Sequence, residues 1–182
     1  MRNYDLITPE GTKDLLFGEC IIRRDIENTL LDLFKSRGYC EMITPGLEFF
    51  DVFNLNSQYF PQENLYKLTD SKGRLLVMRP DSTMPIARVV ATRLRDAVLP
   101  LKLCYNQPVY STEPALKGRS DEIVQAGIEL IGSQLKMADL EVISTAADSL
   151  KSFGMEFSLE IGHIGIFRDP ETASAVEYYC KL

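Results

Sequence analysis

The stretch EIVQAGIELIG, Glu122–Gly132, predicts a β-strand with two different faces, because its side chains alternate in character. One face is wholly apolar and comprises Val124, Ala126, Ile128 and Leu130. The other face places Gln125 and Glu129 in line among Ile123, Gly127 and Ile131. An unpaired carboxylate in an apolar site costs several kcal/mol. The polar face therefore predicts partners for both side chains.

Glu129 requires a cationic partner, which could be a side chain of this chain or a bound ligand. A structural ion pair could come from Arg79, Arg119 or Lys102, whereas a ligand with an ammonium or imidazolium group would make this face a binding site. Satisfied polar groups are common on sheets, so spacing alone leaves both alternatives open.

Asp81 and Thr83 add a carboxylate and a hydroxyl at the end of a predicted hairpin, where strand ends commonly build sites. If they converge with Gln125 and Glu129, the cluster offers mainly hydrogen-bond acceptors. Acceptors are what the ammonium group of an amino acid requires. Spacing alone does not establish that convergence.

The composition predicts one ordinary globular domain, since 182 residues with 45% hydrophobic and 25% charged side chains can build a sizeable core. The sequence has no apolar run of about 18 residues and no signal-peptide pattern in MRNYDLITPEG, so we expect a cytoplasmic protein without a membrane span. The net charge of −6 disfavours a broad nucleic-acid interface. Four separated cysteines without a C-x-x-C pair argue against a zinc site and for reduced thiols.

Hydrophobic periodicity and turn residues predict alternating helices and strands. The predicted helices run from Gly18 to Arg37, from the cluster Asp81, Ser82, Thr83 to about Leu94, and from about Ala138 to Phe153. The predicted strands are an edge or interface strand CEMITP (40–45) containing Pro45, a hairpin of 64–69 and 74–79 that turns at Gly73, segments 101–112 and 122–132, and the alternating segment 155–167. This order predicts an α+β domain built on one antiparallel sheet.

Two further features of the sequence do not indicate a catalytic or nucleotide-binding site. His163 is the only histidine, and a lone histidine is more typical of packing or a loop than of catalysis. The glycines around residues 73 and 162 lack the spacing of a phosphate-binding loop, so no nucleotide motif of the P-loop or dinucleotide kind is present. We therefore expect no cofactor and no metal.

Several longer motifs resemble one family in chain order. They are TPEGTKDLL (8–16), GYCEMITPGLE (38–48), LYKLTDSKGRLLVMRPDST (65–83), KGR (117–119) followed by QAGIELIG (125–132), and LEIGHIGIF (159–167). The chain resembles the catalytic core of class II histidyl-tRNA synthetases and, more closely, their paralogue, the regulatory subunit of ATP phosphoribosyltransferase. The resemblance implies a class II synthetase-like antiparallel sheet flanked by helices over residues 1–182, as the N-terminal part of a longer chain.

The resemblance also implies a site. Asp81, Thr83 and Gln125 would face the ammonium group of histidine, and Glu129 would lie near its imidazole. Glu113 and Arg119 would support this set without direct ligand contact. A homodimer is implied through the helix from Gly18 to Arg37 and the CEMITP segment.

One position of this chain differs from the synthetase pattern and distinguishes between the two relatives. In the synthetases an arginine two residues before a glutamate holds the ATP α-phosphate, whereas here Ser111 occupies that position and Glu113 remains. A serine hydroxyl cannot make the bidentate phosphate contact of a guanidinium. Losing one such donor costs roughly 10²–10³ in rate. The resemblance therefore implies that the chain does not form an adenylate.

Ser111, the segment GHIGIF and the acidic net charge favour the regulatory subunit over the synthetase. It implies a subunit with no catalytic residues, which joins a short-form ATP phosphoribosyltransferase catalytic subunit, confers activity and histidine feedback in the first step of histidine biosynthesis, and forms a homodimer within a hetero-oligomer. The alternatives are a divergent histidyl-tRNA synthetase fragment and a free-standing histidine-sensing or RNA-binding module.

Overall fold

The computed structural model describes residues 4–54, 59–112, 120–160 and 162, without the side chain of Lys136. The helices are α1 (Gly18–Ser36), α2 (Asp51–Asn54), α3 (Thr83–Thr92) and α4 (Lys136–Lys151), with 3-10 turns at Tyr4–Leu6 and Gln62–Asn64. The strands are β1 (Cys40–Glu41), β2 (Leu47–Phe49), β3 (Lys67–Thr69), β4 (Leu75–Met78), β5 (Leu101–Tyr110) and β6 (Glu122–Ile131). The predicted α+β class is confirmed.

The longest ladder joins β5 and β6, which pair antiparallel from Leu101 opposite Ile131 to Tyr110 opposite Glu122. On the other edge of β5, β1 pairs in parallel, with Cys40 opposite Leu103. The strand order β1-β5-β6 confirms the predicted edge position of the segment that contains Pro45. Alternation reveals which residues share a face but not the direction of a neighbouring strand, so the parallel pairing was not predicted.

A second three-stranded sheet has the order β2-β4-β3 and is antiparallel throughout. Its β3–β4 hairpin was predicted, and Gly73 has the positive φ of 75° that such a turn requires. The strand β2 was not predicted. The expectation of one antiparallel sheet is therefore corrected to two three-stranded sheets, one of them mixed.

The two faces of β6 pack against different elements, as its alternation predicted. Ala126 and Ile128 contact a cluster that includes Phe34 of α1 and Cys104 of β5. On the opposite face Ile131 packs against a separate cluster of Ile86, Leu103 and Tyr105, which belong to α3 and β5. The polar side chains of β6 therefore lie on the face next to α3.

Helices α1 and α4 agree with the predicted segments within about two residues at each end. Polar contacts hold them together: the guanidinium of Arg37 donates to Ser144 Oγ at 3.1 Å and Thr145 Oγ1 at 2.7 Å and forms an ion pair with Asp148. Within the described ranges, no helix is long and apolar enough to cross a membrane.

By its internal contacts the chain divides into two compact units, residues 1–149 and 150–182. In the second unit, Gly154 adopts a positive φ of 66° after α4 ends. The predicted strand beginning at residue 155 is wrong over 155–160, which forms no ladder with the described residues. Alternation specifies a strand only where a partner edge is available. His163 lies outside the described residues.

Candidate functional site

The structure brings together the four polar residues singled out in the sequence. Asp81 and Thr83 lie at the start of α3, and Gln125 and Glu129 lie on the facing side of β6. Gln125 Nε2 donates to Asp81 Oδ2 at 3.1 Å, and Thr83 Oγ1 donates to Glu129 Oε1 at 2.8 Å. A second contact joins the same elements, since the backbone N–H of Ser82 donates to Gln125 Oε1 at 3.0 Å. The convergence that spacing could not establish is thus present.

Asp81 also caps helix α3. Its Oδ1 accepts the backbone N–H groups of Thr83 at 2.7 Å and Met84 at 3.4 Å. Such a bond satisfies donors that the first helical turn leaves unpaired. Ser82, the residue directly before the helix, makes no capping bond with its side chain. The Asp81 carboxylate is therefore fixed by the helix on one oxygen and by Gln125 on the other.

Glu129 is a carboxylate without a described cationic partner. Burial, the largest cause, raises its pKa above the ordinary value of 4.5; Asp81 raises it further, and the hydrogen bond from Thr83 lowers it. Among the described residues its Oε2 accepts no hydrogen bond, and no lysine or arginine forms an ion pair with it. The site therefore concentrates negative charge and acceptors.

The proposed structural partners of Glu129 are used elsewhere. Lys102 forms an ion pair with Glu141 at 2.7 Å, and Arg79 donates to carbonyl and amide oxygens. Arg119, like the supporting residue Glu113, lies outside the described residues. Within the part of the chain that the structure shows, the alternative of a structural ion pair finds no support.

Arg79 ties the two sheets together beneath the site. The side chain is 3% exposed and follows β4 directly. It donates to Pro108 O at 2.7 Å and Gln107 Oε1 at 3.0 Å on β5, and to Thr44 O at 2.5 Å and Pro45 O at 3.2 Å after β1. Because Asp81 follows two residues later, this network holds the start of α3 against the β5–β6 ladder.

Sequence reasoning missed Tyr105 as a member of this site. Tyr105 stands directly opposite Gly127 on β5, and burial raises the pKa of its phenol to about 12, with further upward contributions from Glu129 and Asp81. The available signal was Gly127 itself, because a glycine inside a strand often marks a close approach by another group.

A pocket of about 420 Å³ adjoins the site on the Gln125 side and contains Ser111. Its described lining is Tyr59, Phe60, Pro61, Asn64, Leu65, Pro80, Val109, Ser111, Ser120, Asp121, Ile123 and Gln125. This described lining includes a carboxylate but no lysine or arginine. It therefore offers no described cation for a phosphate group.

The raised pKa of Glu129 predicts a pH-dependent stability. The folded protein holds this proton more tightly than the unfolded chain, so the resulting stabilisation is complete below pH 4.5 and is lost as the pH rises through the higher folded pKa. Glu129→Gln removes the ionisable group and with it this pH-dependent loss of stability. Without ligand, thermal unfolding should favour the variant over the wild type more strongly at pH 7 than at pH 4. A difference in melting temperature that does not change with pH would contradict the assignment.

Comparisons with known proteins identify one family. Residues 11–177 match the family model described as histidyl-tRNA synthetase. Proteins named ATP phosphoribosyltransferase regulatory subunit from Clostridium kluyveri and Clostridium botulinum are 47% and 44% identical over 92% of this chain. The chain spans 43% and 40% of their lengths, which is less than half.

Solved structures show the same fold. A Bacillus halodurans protein titled ATP phosphoribosyltransferase regulatory subunit/histidyl-tRNA synthetase aligns with a TM-score of 0.82 and 32% identity over 98% of this chain and 48% of its own. Histidyl-tRNA synthetase from S. aureus aligns with a TM-score of 0.70 and 27% identity over 83% of this chain and 40% of its own. The chain belongs to the histidyl-tRNA synthetase family.

Proposed function

We propose that this chain is part of a regulatory subunit of ATP phosphoribosyltransferase that binds histidine and has no catalytic activity of its own. One arrangement carries the proposal: an acceptor-rich cluster suited to an ammonium group adjoins a pocket whose described lining holds no cation for phosphates. The name shared by relatives at 41–47% identity supports it.

The proposed ligand geometry follows from the atoms that remain available. The ammonium group of histidine donates to Asp81 Oδ2, to Thr83 Oγ1 and to Gln125 Oε1, each of which has a free lone pair beside its present bond. The imidazole donates to Glu129 Oε2. A cationic ligand there relieves the repulsion between the two carboxylates, so binding favours the ionised form of Glu129, whereas folding without ligand favours its protonated form.

Regulation requires more than binding. Histidine can inhibit a partner only by its differential affinity for the active and inactive states of the assembly. The proposed partner is the short-form catalytic subunit, which condenses ATP with phosphoribosyl pyrophosphate. We propose that the complex works in the cytoplasm.

Reconstitution tests this proposal. The full-length protein mixed with the short-form catalytic subunit should give phosphoribosyl transfer that neither component shows alone, and histidine should inhibit it. Full activity of the catalytic subunit alone, unchanged by the added protein, would rule the regulatory role out.

The alternative, a divergent histidyl-tRNA synthetase, is addressed by Ser111. We predict no histidine-dependent exchange of pyrophosphate into ATP above the background without protein, because the synthetase's phosphate-binding arginine is replaced and the pocket around Ser111 has no described cation. The exchange assay uses the full-length protein at saturating histidine and ATP. Exchange above background that disappears in Asp81→Asn would favour the synthetase over the regulatory subunit.

We also propose a homodimer that forms through α1 and the segment containing β1. Exposed apolar side chains cluster on this part of the chain, among them Phe17, Ile21, Ile22 and Ile43, which are 63–86% exposed. Contiguous exposed apolar surface commonly marks an interface. Sedimentation equilibrium of the full-length protein at micromolar concentration should show a dimer, and Ile22→Asp should shift it toward monomer. A monomer at every accessible concentration would refute the dimer.

A further inference from the structure

The second sheet has an apolar outer face. Directly opposed residues of an antiparallel pair point to the same side of a sheet, so Phe49, Leu76 and Leu68 form one row across β2, β4 and β3. Leu47 and Met78 form the next row. Three of these side chains are well exposed: Leu47 by 46%, Phe49 by 44% and Leu68 by 36%. We refer to the five residues as the outer sheet face.

The inner face of the same sheet is already packed. Val77 is fully buried and forms a cluster with Phe53 and Leu65. Glu48 is 6% exposed and forms an ion pair with Arg88 of α3. An antiparallel sheet with one packed face usually carries polar residues on the other face. A second apolar face therefore indicates a surface that is covered in the assembled protein.

The turn beside the outer sheet face carries an excess of positive charge. Lys72 and Arg74 lie in the β3–β4 turn, and the Arg74 guanidinium is 4.8 Å from the centre of the Phe49 ring. Arg74 forms an ion pair with Asp70, whereas Lys72 forms none with a described residue. The surface is thus apolar with a basic edge, which favours an apolar partner with carboxylates beside it.

The exposed side of α1 has that complementary character. Ile21, Ile22 and Ile26 are 64%, 63% and 42% exposed. Asp25 lies four residues after Ile21, and Asp32 lies seven residues after Asp25, so both carboxylates follow the same side of the helix as Ile21. Neither forms an ion pair with a described residue. Helix α1 therefore offers apolar side chains flanked by two available carboxylates.

We propose that the outer sheet face of one copy binds helix α1 of a second copy, and that a two-fold axis repeats this contact so that each dimer contains it twice. The pairing rests on the homodimer proposed above and assigns its surfaces. It joins apolar side chains to apolar side chains and the carboxylates of α1 to the basic turn, a complementarity that neither α1 against α1 nor sheet against sheet offers. Ile43, in the segment already proposed for the homodimer, is 76% exposed and leads into β2.

Subunit complementation with the full-length protein tests this pairing. Ile22→Asp damages α1, Leu68→Asp damages the outer sheet face, and symmetry places each change in both contacts of its own dimer. Each variant alone should raise the dissociation constant of the dimer at least about a hundredfold, because burial of one such side chain contributes about tenfold per contact. In a mixed dimer the two changes meet in one contact and leave the other contact intact. The mixed dimer should therefore be at least about tenfold tighter than either variant homodimer.

Sedimentation of the mixture, with one variant carrying a fluorescent label, measures the mixed dimer. Val98→Asp is the matched control, since Val98 is 90% exposed and lies outside both surfaces; it should leave the dissociation constant within about twofold of the wild type. Leu47→Asp, on β2 at the other edge of the sheet, should behave like Leu68→Asp. Thermal melting confirms that each variant is folded.

The outcomes separate the pairing from the homodimer itself. A mixed dimer whose affinity lies between those of the two variant homodimers would overturn the pairing, because α1 and the outer sheet face would then lie in separate contacts. Folded sheet variants that dimerise like the wild type would also overturn it, and their failure to stimulate the catalytic subunit would assign the face to that subunit instead. A wild type that stays monomeric would refute the homodimer.

Discussion

Arg79→Met should destabilise the protein by about 3–5 kcal/mol, the cost expected when a buried polar network loses its central donor. The guanidinium serves acceptors from two segments, residues 44–45 and 107–108, and its removal leaves the carbonyls of Thr44, Pro45 and Pro108 without their partner in a buried site. Methionine fills much of the same volume, so the decrease in the free energy of unfolding reflects the missing hydrogen bonds and not a cavity. Urea unfolding followed by far-UV circular dichroism measures the free energy of unfolding.

Arg74→Met is the matched control for this measurement. Arg74 precedes β4 as Arg79 follows it, but its side chain is 55% exposed and its ion pair with Asp70 lies at the surface. Exposed pairs contribute about 0–1 kcal/mol, so the control should unfold close to the wild type. If both variants lose the same stability, Arg79 does not tie the sheets together as described.

Glu129→Gln should weaken histidine binding by roughly ten- to a hundredfold. The substitution keeps the shape of the side chain and removes its charge, and charge-assisted hydrogen bonds in partly desolvated sites contribute about 1.5–3 kcal/mol. The variant should also be more stable than the wild type at neutral pH, for the reason given above. A loss of affinity together with a gain in stability is the signature of a residue kept for binding. Equilibrium dialysis with labelled histidine gives the affinity.

Glu122→Gln controls for the chemical change itself. Glu122 begins the same strand, lies on the opposite face of β6 and contacts Tyr110 rather than the cluster. Its substitution should leave the dissociation constant within about twofold of the wild type. Comparable losses in both variants would mean that the effect comes from net charge and not from the site.

The sequence predicted features that depend on local periodicity. The faces of β6, the extent of α1 and the turn at Gly73 all follow from side-chain spacing or backbone freedom. Local signals failed where the outcome depends on distant neighbours: β1 pairs in parallel, β2 joins a second sheet, and residues 155–160 form no strand.

The site was predictable in its residues but not in its geometry. Gln125 and Glu129 were conspicuous as polar residues in an apolar strand, whereas their convergence with Asp81 and Thr83 was implied only by the family resemblance. Tyr105 escaped notice because an aromatic residue in a β-strand ordinarily indicates core packing. Its hydroxyl enters the cluster only because Gly127 lies directly across the ladder.

Calorimetric titration of histidine into the wild-type protein shows whether this chain itself holds a histidine site. We predict one saturable site per chain at or below millimolar histidine, because the cluster presents two carboxylates that no described cation neutralises. Absence of saturable heat at millimolar histidine, while the full-length complex with its catalytic subunit is still inhibited by histidine, would contradict it. The histidine-sensing site would then lie on the catalytic subunit, and the polar face of β6 would have no part in it.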